Sequence, residues 1–187
     1  LNVHHYQTSA GMAAHARCRA VLASSDAIRE NLVNDAHVPR EIVRVVPIGI
    51  EAPEELPAPQ ADPERVPLVV CISKLTPRKD VATLLYAARQ VLDVRGGNCQ
   101  FLIVGEGPEE PKLRRLARQL QLEKHLTFSH PGVPHTRILS DADVYVQTSR
   151  SEGFGIAALE AMAWGKPVVC TSVGGLIALV KDGQTGF

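Results

Sequence analysis

The sequence predicts an α/β protein built on a doubly wound, Rossmann-like parallel sheet, and three observations predict it. From Leu68 onward, short apolar runs of strand length alternate with longer runs of helical period. Each strand is followed by a helix, which implies parallel strands joined by right-handed crossovers. Ala, Val and Leu carry most of an apolar content of 45%, against 4% aromatic residues, as expected where aliphatic strands pack on Ala- and Leu-rich helices.

The elements follow in order. A leading part reads as strand 20–23, helix 26–35 and strand 42–46, the end of a preceding α/β domain spanning 1–51. Residues 52–67 contain Pro53, Pro57, Pro59, Pro63 and Pro67, too many for a helix or a ladder, and read as a linker. The trailing domain, 68–187, opens with strand 68–73. Helix 80–94 follows, with Val81, Leu84, Leu85, Ala88, Val91 and Leu92 at helical spacing and Asp80 placed as its N-cap. Next come strand 101–104, helix 108–122 with Arg114, Arg115 and Arg118 on its wet face, strand 126–128 and helix 136–141. Strand 144–147, helix 156–164, strand 168–170 and helix 175–181 complete the domain. The final residues look mid-sequence, so the trailing domain is expected to be truncated at its C-terminus and the chain to be a fragment.

Twenty basic and twenty acidic residues cancel, giving no global attraction to nucleic acid or an anionic membrane. A phosphate site must then be local. Cys18, Cys71, Cys99 and Cys170 are scattered without CxxC spacing, which argues against a zinc or redox site; Cys71 and Cys170 lie in apolar runs and read as buried thiols of a reducing compartment. No run approaches the roughly 20 apolar residues that span a bilayer, and no signal-peptide pattern opens the chain. His125, His130 and His135 recur every five residues, the wrong interval for a ligand pair on a helix, and read as surface or loop histidines. Adjacent His4 and His5 carry no pattern. No GxSxG marks a nucleophile elbow, and no Asp-x-Asp pair offers itself to a divalent cation.

In such sheets ligands bind beyond the carboxyl ends of the strands. Four features sit there. Lys74, Arg78 and Lys79 place three cations on the loop after the first strand, able to meet a diphosphate or to form a solvated basic turn. Gly105-Glu106-Gly107-Pro108 allows a tight turn and close ligand approach at a helix start, although a final GxGxxG glycine is missing. Ser151-Glu152-Gly153-Phe154-Gly155 offers backbone amides before a helix, with Glu152 as an acceptor. Glu160 is the one polar residue in an otherwise apolar helix, either partnered by a ribose diol or lying at an edge beside water or a lysine. A fifth candidate, Gly174-Gly175, either packs closely or offers further amides, and reads mostly as structural.

The segment 149–155, followed by Leu159-Glu160-Ala161-Met162-Ala163-Trp164-Gly165-Lys166-Pro167-Val168-Val169, resembles the signature of GT-B retaining glycosyltransferases of family 4, with Glu152 and Glu160 separated by seven residues. Lys74-Leu75 with Lys79, Gly105 to Pro108, Ala142-Asp143-Val144, Gly174-Gly175, Asp182-Gly183 and Thr185-Gly186 follow the family order, as do residues 19–29 and Val45 to Glu51. The resemblance implies transfer of a sugar from a UDP- or GDP-linked donor to a saccharide, lipid-linked or small-molecule acceptor, without a metal or other cofactor and without nucleic acid. It implies that Lys74 and Lys79 neutralise the diphosphate, that Glu152 with the amides of Phe154 and Gly155 holds the sugar, that Ile156 and Ala157 offer amides to phosphate, and that Glu160 takes the ribose. Gly105, Gly107 and Gly153 would line the donor, and catalysis would rest on Glu152, Lys74 and Lys79. The expected place is the cytoplasm, with peripheral contact at the membrane face as an option. The acceptor-side domain being mostly outside the chain, the fragment is expected to be inactive alone.

Four residues depart from the pattern: Lys74 where arginine is commoner, His130 where glycine is common in the loop expected to touch the base, Ile48 for asparagine at the hinge, and Ala178 for glutamate. The alternatives are a non-catalytic nucleotide-sugar-binding module and a GT-B disaccharide phosphorylase. An epimerase fits the paired glutamates less well, and an ordinary dinucleotide-binding domain would need the complete GxGxxG.

Overall fold

The protein is described by a computed structural model over residues 18–56 and 64–187, with the backbone of residues 2–3. His4, His5 and the linker prolines Pro57, Pro59 and Pro63 lie outside the described residues. Strands β1 (Asn2–Val3), β2 (Val21–Ala23) and β3 (Val43–Val45) form a parallel sheet in that order. Helix α1 (Asp26–Asn34) crosses from β2 to β3. It starts where Ser25 leaves extended backbone and its Oγ accepts the Ile28 N–H at 3.2 Å. Its buried face, Ile28 and Leu32, packs with Val21, Ala23 and Val43.

The second sheet contains β4 (Leu68–Ile72), β5 (Gln100–Val104), β6 (Leu126–Ser129), β7 (Val144–Gln147) and β8 (Val168–Cys170), all parallel, in the order β6-β5-β4-β7-β8. The chain moves outward from β4 to β6 on one side, then returns to β7 and β8 on the other. The switch point therefore lies beside β4, where a crevice is expected. The doubly wound parallel sheet read from the sequence is the one observed.

The central strands β4 and β5 are largely covered on both faces, and the alternation of side chains sorts the core. Cys71, Phe101 and Ile103 face α2 (Val81–Val94) and α3 (Glu110–Gln119). Val70, Ile72, Val104, Tyr145 and Val168 face the layer of α4 (His135–Asp141), α5 (Ile156–Ala163) and α6 (Leu176–Leu179).

Several expectations are corrected at element ends. Asp80 is not a side-chain N-cap: it takes a left-handed conformation with φ 44°, and its carboxylate accepts from Thr83 Oγ1 at 3.1 Å and Arg150 Nε at 2.9 Å. Burial raises the Asp80 pKa, but the Arg150 and Thr83 bonds outweigh it and hold the carboxyl below its ordinary value. α3 begins at Glu110 because Pro108 and Glu109 are spent in a turn closed by Glu110 N–H to Gly107 O at 3.1 Å. α6 stops at Leu179, because Val180 is already extended. Arg114 stays partly exposed on α3, with its guanidinium 4.8 Å from the centre of the Phe128 ring and paired with Glu110. Cys71 is buried with its thiol pushed up to about 11 by desolvation, hence inert at neutral pH, whereas Cys170 is half-buried.

Asp143 pins the sheet centre. Its Oδ2 accepts the Leu68 N–H at 2.7 Å and its Oδ1 accepts from Arg65, whose other nitrogen reaches Asp141 O at 2.6 Å. Asp143→Ala strands that amide and that guanidinium together. The expected loss is about 1–2 kcal/mol, a fall of roughly 2–8 °C in melting temperature by circular dichroism; an unchanged melt would show the pin to be dispensable.

Candidate functional site

The floor of the site is two loops laced together at the carboxyl ends of β4 and β5. Ser73 N–H bonds to Val104 O at 2.9 Å, Leu75 N–H to Glu106 O at 2.8 Å and Glu109 N–H to Leu75 O at 3.0 Å. Gly105 (φ 152°) and Gly107 (φ 156°) permit this, since a Cβ on either would run into the carbonyl of Ser73 or Leu75. The lacing shapes a cleft of about 560 Å³ whose lining includes Lys74, Gly105, Gly107, Pro131, His135 and Ala157. The basic loop reaches this cleft through exposed Lys74, while Pro77–Lys79 form a single 3-10 turn. The loop after β6 reaches it through Pro131, while His130 turns out to solvent with Nε2 3.9 Å from Glu110 Oε1. Ala157 lines the cleft from the first turn of α5, where helix geometry leaves amides without intrahelical acceptors; Ile156 is exposed.

Beside the cleft, Glu152 occupies a cage. Its Oε2 accepts from Lys79 Nζ, from Gln147 Nε2 at 2.6 Å and from Ser149 Oγ at 3.3 Å. The side chains of Glu152 and Lys79 are 11% and 14% exposed. Behind them, the Tyr145 hydroxyl lies 3.2 Å from both Ile72 O and Gln147 Oε1 and donates to one of them, while burial raises its pKa well above the ordinary value. Sequence reasoning gave Lys79 and Glu152 separate roles; the structure makes them an ion pair, with Arg78 Nη1 3.8 Å from Oε1. Gln147 and Tyr145 were missed, being read as strand. A glutamine two places from a tyrosine on the same face of an otherwise apolar strand is the signal that marked them.

Residues 153–155 are held from both sides. Gly153 O accepts the Ser25 hydroxyl at 2.7 Å, tying the first sheet to the site, and Phe154 is buried. Gly175 N–H bonds to Glu152 O at 3.0 Å, so the double glycine packs closely, as read from the sequence. The N–H groups of Phe154 and Gly155 donate to no protein acceptor among the described residues.

Glu160 was read as either partnered by a ribose diol or lying at a helix edge. Only one face of α5 is buried, through Ala158 and Ala161, and the Glu160 side chain is 31% exposed at an edge. Its side-chain partner there is His135 rather than a lysine, with Nδ1 3.1 Å from Oε2. Both line a second pocket of about 310 Å³ with Ile50, Glu51 and Trp164, and His135 borders the larger cleft as well. The reading of His135 as a surface histidine missed this contact, because the partner lies 25 residues along the chain. Among the described residues, no group of three or more His, Cys, Asp or Glu side chains could hold a metal ion, and no helix is long and apolar enough to cross a membrane.

Residues 53–187 match the family described as Glycosyl transferases group 1. The chain is 30% identical over 186 residues to alpha-D-kanosaminyltransferase of Streptomyces kanamyceticus, a match covering 91% of this chain and 47% of that protein. It is 38% identical over 130 residues to the GDP-mannose-dependent alpha-(1-6)-phosphatidylinositol monomannoside mannosyltransferase of Mycolicibacterium smegmatis, covering 64% and 34%. HepE of Anabaena, solved with UDP and glucose, superposes with a TM-score of 0.87 at 23% identity over 100% of this chain and 56% of its own. TarM of S. aureus, solved with UDP as a mutant, gives 0.80 at 22% identity over 94% and 34%. These neighbours share the fold, and the chain spans about half or less of the length of such relatives.

Proposed function

Because the chain belongs to the Glycosyl transferases group 1 family, we propose that it is the donor-binding part of a retaining GT-B transferase of family 4. The reaction moves a sugar from a UDP- or GDP-linked donor to an acceptor hydroxyl. The observation that carries this reading is the convergence of Lys74, the glycine-laced floor and the start of α5 on one cleft at the switch point, with Glu152 and Glu160 flanking it. The names of the relatives, which include GDP-mannose and UDP, support a nucleoside diphosphate sugar.

The bond that breaks joins the anomeric carbon to the diphosphate, and the bond that forms joins that carbon to the acceptor oxygen with the same configuration. Negative charge grows on the leaving diphosphate. Lys74 meets it directly, and Lys79, whose ammonium has three donors, meets it while keeping Glu152. Glu152, fixed by Gln147, keeps Oε1 for sugar hydroxyls, aided by the unpaired amides of Phe154 and Gly155. Glu160 accepts from the ribose hydroxyls. The acceptor, a saccharide, lipid-linked or small molecule, binds largely to chain beyond this one. Cys71, Cys99 and Cys170, which form no disulfide among the described residues, support a cytoplasmic setting.

Calorimetry of UDP, GDP and their sugar conjugates against the chain tests this. Glu160→Gln is expected to weaken the preferred nucleotide about tenfold, the value of one charge-assisted hydrogen bond. Added EDTA is expected to leave binding unchanged. Absence of nucleotide binding, or an unaltered affinity in Glu160→Gln, would overturn the donor assignment; loss with EDTA would overturn metal independence.

A further inference from the structure

The His135–Glu160 contact is used by none of the roles above, although it joins the two pockets. Glu160 projects from an exposed edge of α5, and a glutamate there is free to spread over several rotamers, an entropy that ligand binding must remove. The 3.1 Å contact from His135 Nδ1 limits that spread. It engages Oε2 alone, and Oε1 makes no hydrogen bond among the described residues. A carboxylate offers about four lone-pair sites, so a diol can be accepted while the histidine stays. The ring itself is placed by a rigid element: Ile138 and Leu139 of α4 are buried in the core, and Lys166 Nζ bonds to Ser140 O at 3.0 Å near the helix end.

We propose that His135 is a positioning residue for Glu160, orienting its carboxylate toward the donor ribose, and so sets the preference for ribonucleotide over 2′-deoxynucleotide donors. The inference rests on the ribose role of Glu160 given above. The carboxylate selects the imidazole tautomer with hydrogen on Nδ1. Asparagine reproduces a donor near the Nδ1 position, whereas glutamine reproduces one near Nε2 and leucine reproduces neither.

The test is calorimetry of UDP, GDP and their 2′-deoxy counterparts with the chain and with His135→Leu, His135→Asn, His135→Gln and Glu160→Gln, each checked by its thermal melt. His135→Leu is expected to weaken the ribonucleotide about fivefold, on the scale of one partly exposed charged contact. His135→Asn should restore most of that loss and His135→Gln little, and the 2′-deoxy ligand, which keeps only its 3′-hydroxyl for the carboxylate, should lose distinctly less than the ribonucleotide in each variant. A loss in Glu160→Gln without one in His135→Leu would overturn the positioning role while leaving the donor site standing. Equal losses for the ribo and deoxy ligands, or no difference between the asparagine and glutamine variants, would also overturn it. No nucleotide binding by the unaltered chain, or a silent Glu160→Gln, would remove the donor reading and this inference with it.

Discussion

Lys79→Met is expected to cost about 2–4 kcal/mol of folding stability, and Glu152→Gln added to it is expected to return most of that loss. The Glu152 carboxylate lies 11% exposed, with Lys79 as its nearest cation and Gln147 and Ser149 as neutral donors. Removing the ammonium leaves a nearly buried charge held by dipoles alone, and the more distant Arg78, at 3.8 Å, is a poor substitute. Replacing both members leaves a neutral amide beside a methionine, with the Gln147 network still satisfiable. Urea denaturation of the four variants gives the coupling directly. A double variant no more stable than Lys79→Met would mean that the pair is screened like a surface contact. Nucleotide affinity separates the second role of Lys79: it should stay low in the double variant, because the charge that meets the diphosphate has not been restored.

That pair also marks where sequence reasoning stops. The strands at 144–147 and 168–170 were placed to the residue, because apolar runs and period are local properties written into consecutive residues. The location of the cleft followed from a rule about parallel sheets and needed no side-chain detail. Lys79 and Glu152, 73 positions apart, meet only because β4 and β7 are neighbours in the sheet, an order that alternation alone does not specify. Glu160 and His135 meet across two helices for the same reason. Asp80 shows a different limit. Its position before an apolar helix invited an N-cap, but Arg150 and the Thr83 hydroxyl compete for the carboxylate and a left-handed backbone turns it away. Local propensity was read correctly there, and tertiary contacts outweighed it.

Gly175→Ala is expected to cost about 3 kcal/mol and to weaken nucleotide binding, through contact rather than through backbone conformation. Gly175 has an ordinary helical φ of −68°, so alanine suits the backbone. The obstacle is spatial: a Cβ would stand 2.5 Å from the Phe154 Cα and 2.9 Å from its carbonyl oxygen, and closer still to Gly153 O. None of these is the end of a flexible side chain. The displaced segment would be 152–155, which carries Glu152 and the unpaired amides, so the strain would be delivered to the donor site. Gly96 provides the contrast. At φ +59° it asks alanine to adopt a left-handed conformation, yet nothing lies within 4 Å of its Cβ position. Gly96→Ala should therefore cost only about 1 kcal/mol and leave nucleotide affinity unchanged. Paired urea melts and nucleotide titrations distinguish the two. If the variants prove equally destabilised and both bind nucleotide normally, then the close packing of the double glycine against residues 152–154 does not shape the site, and Glu152 is held by its side-chain partners Lys79, Gln147 and Ser149.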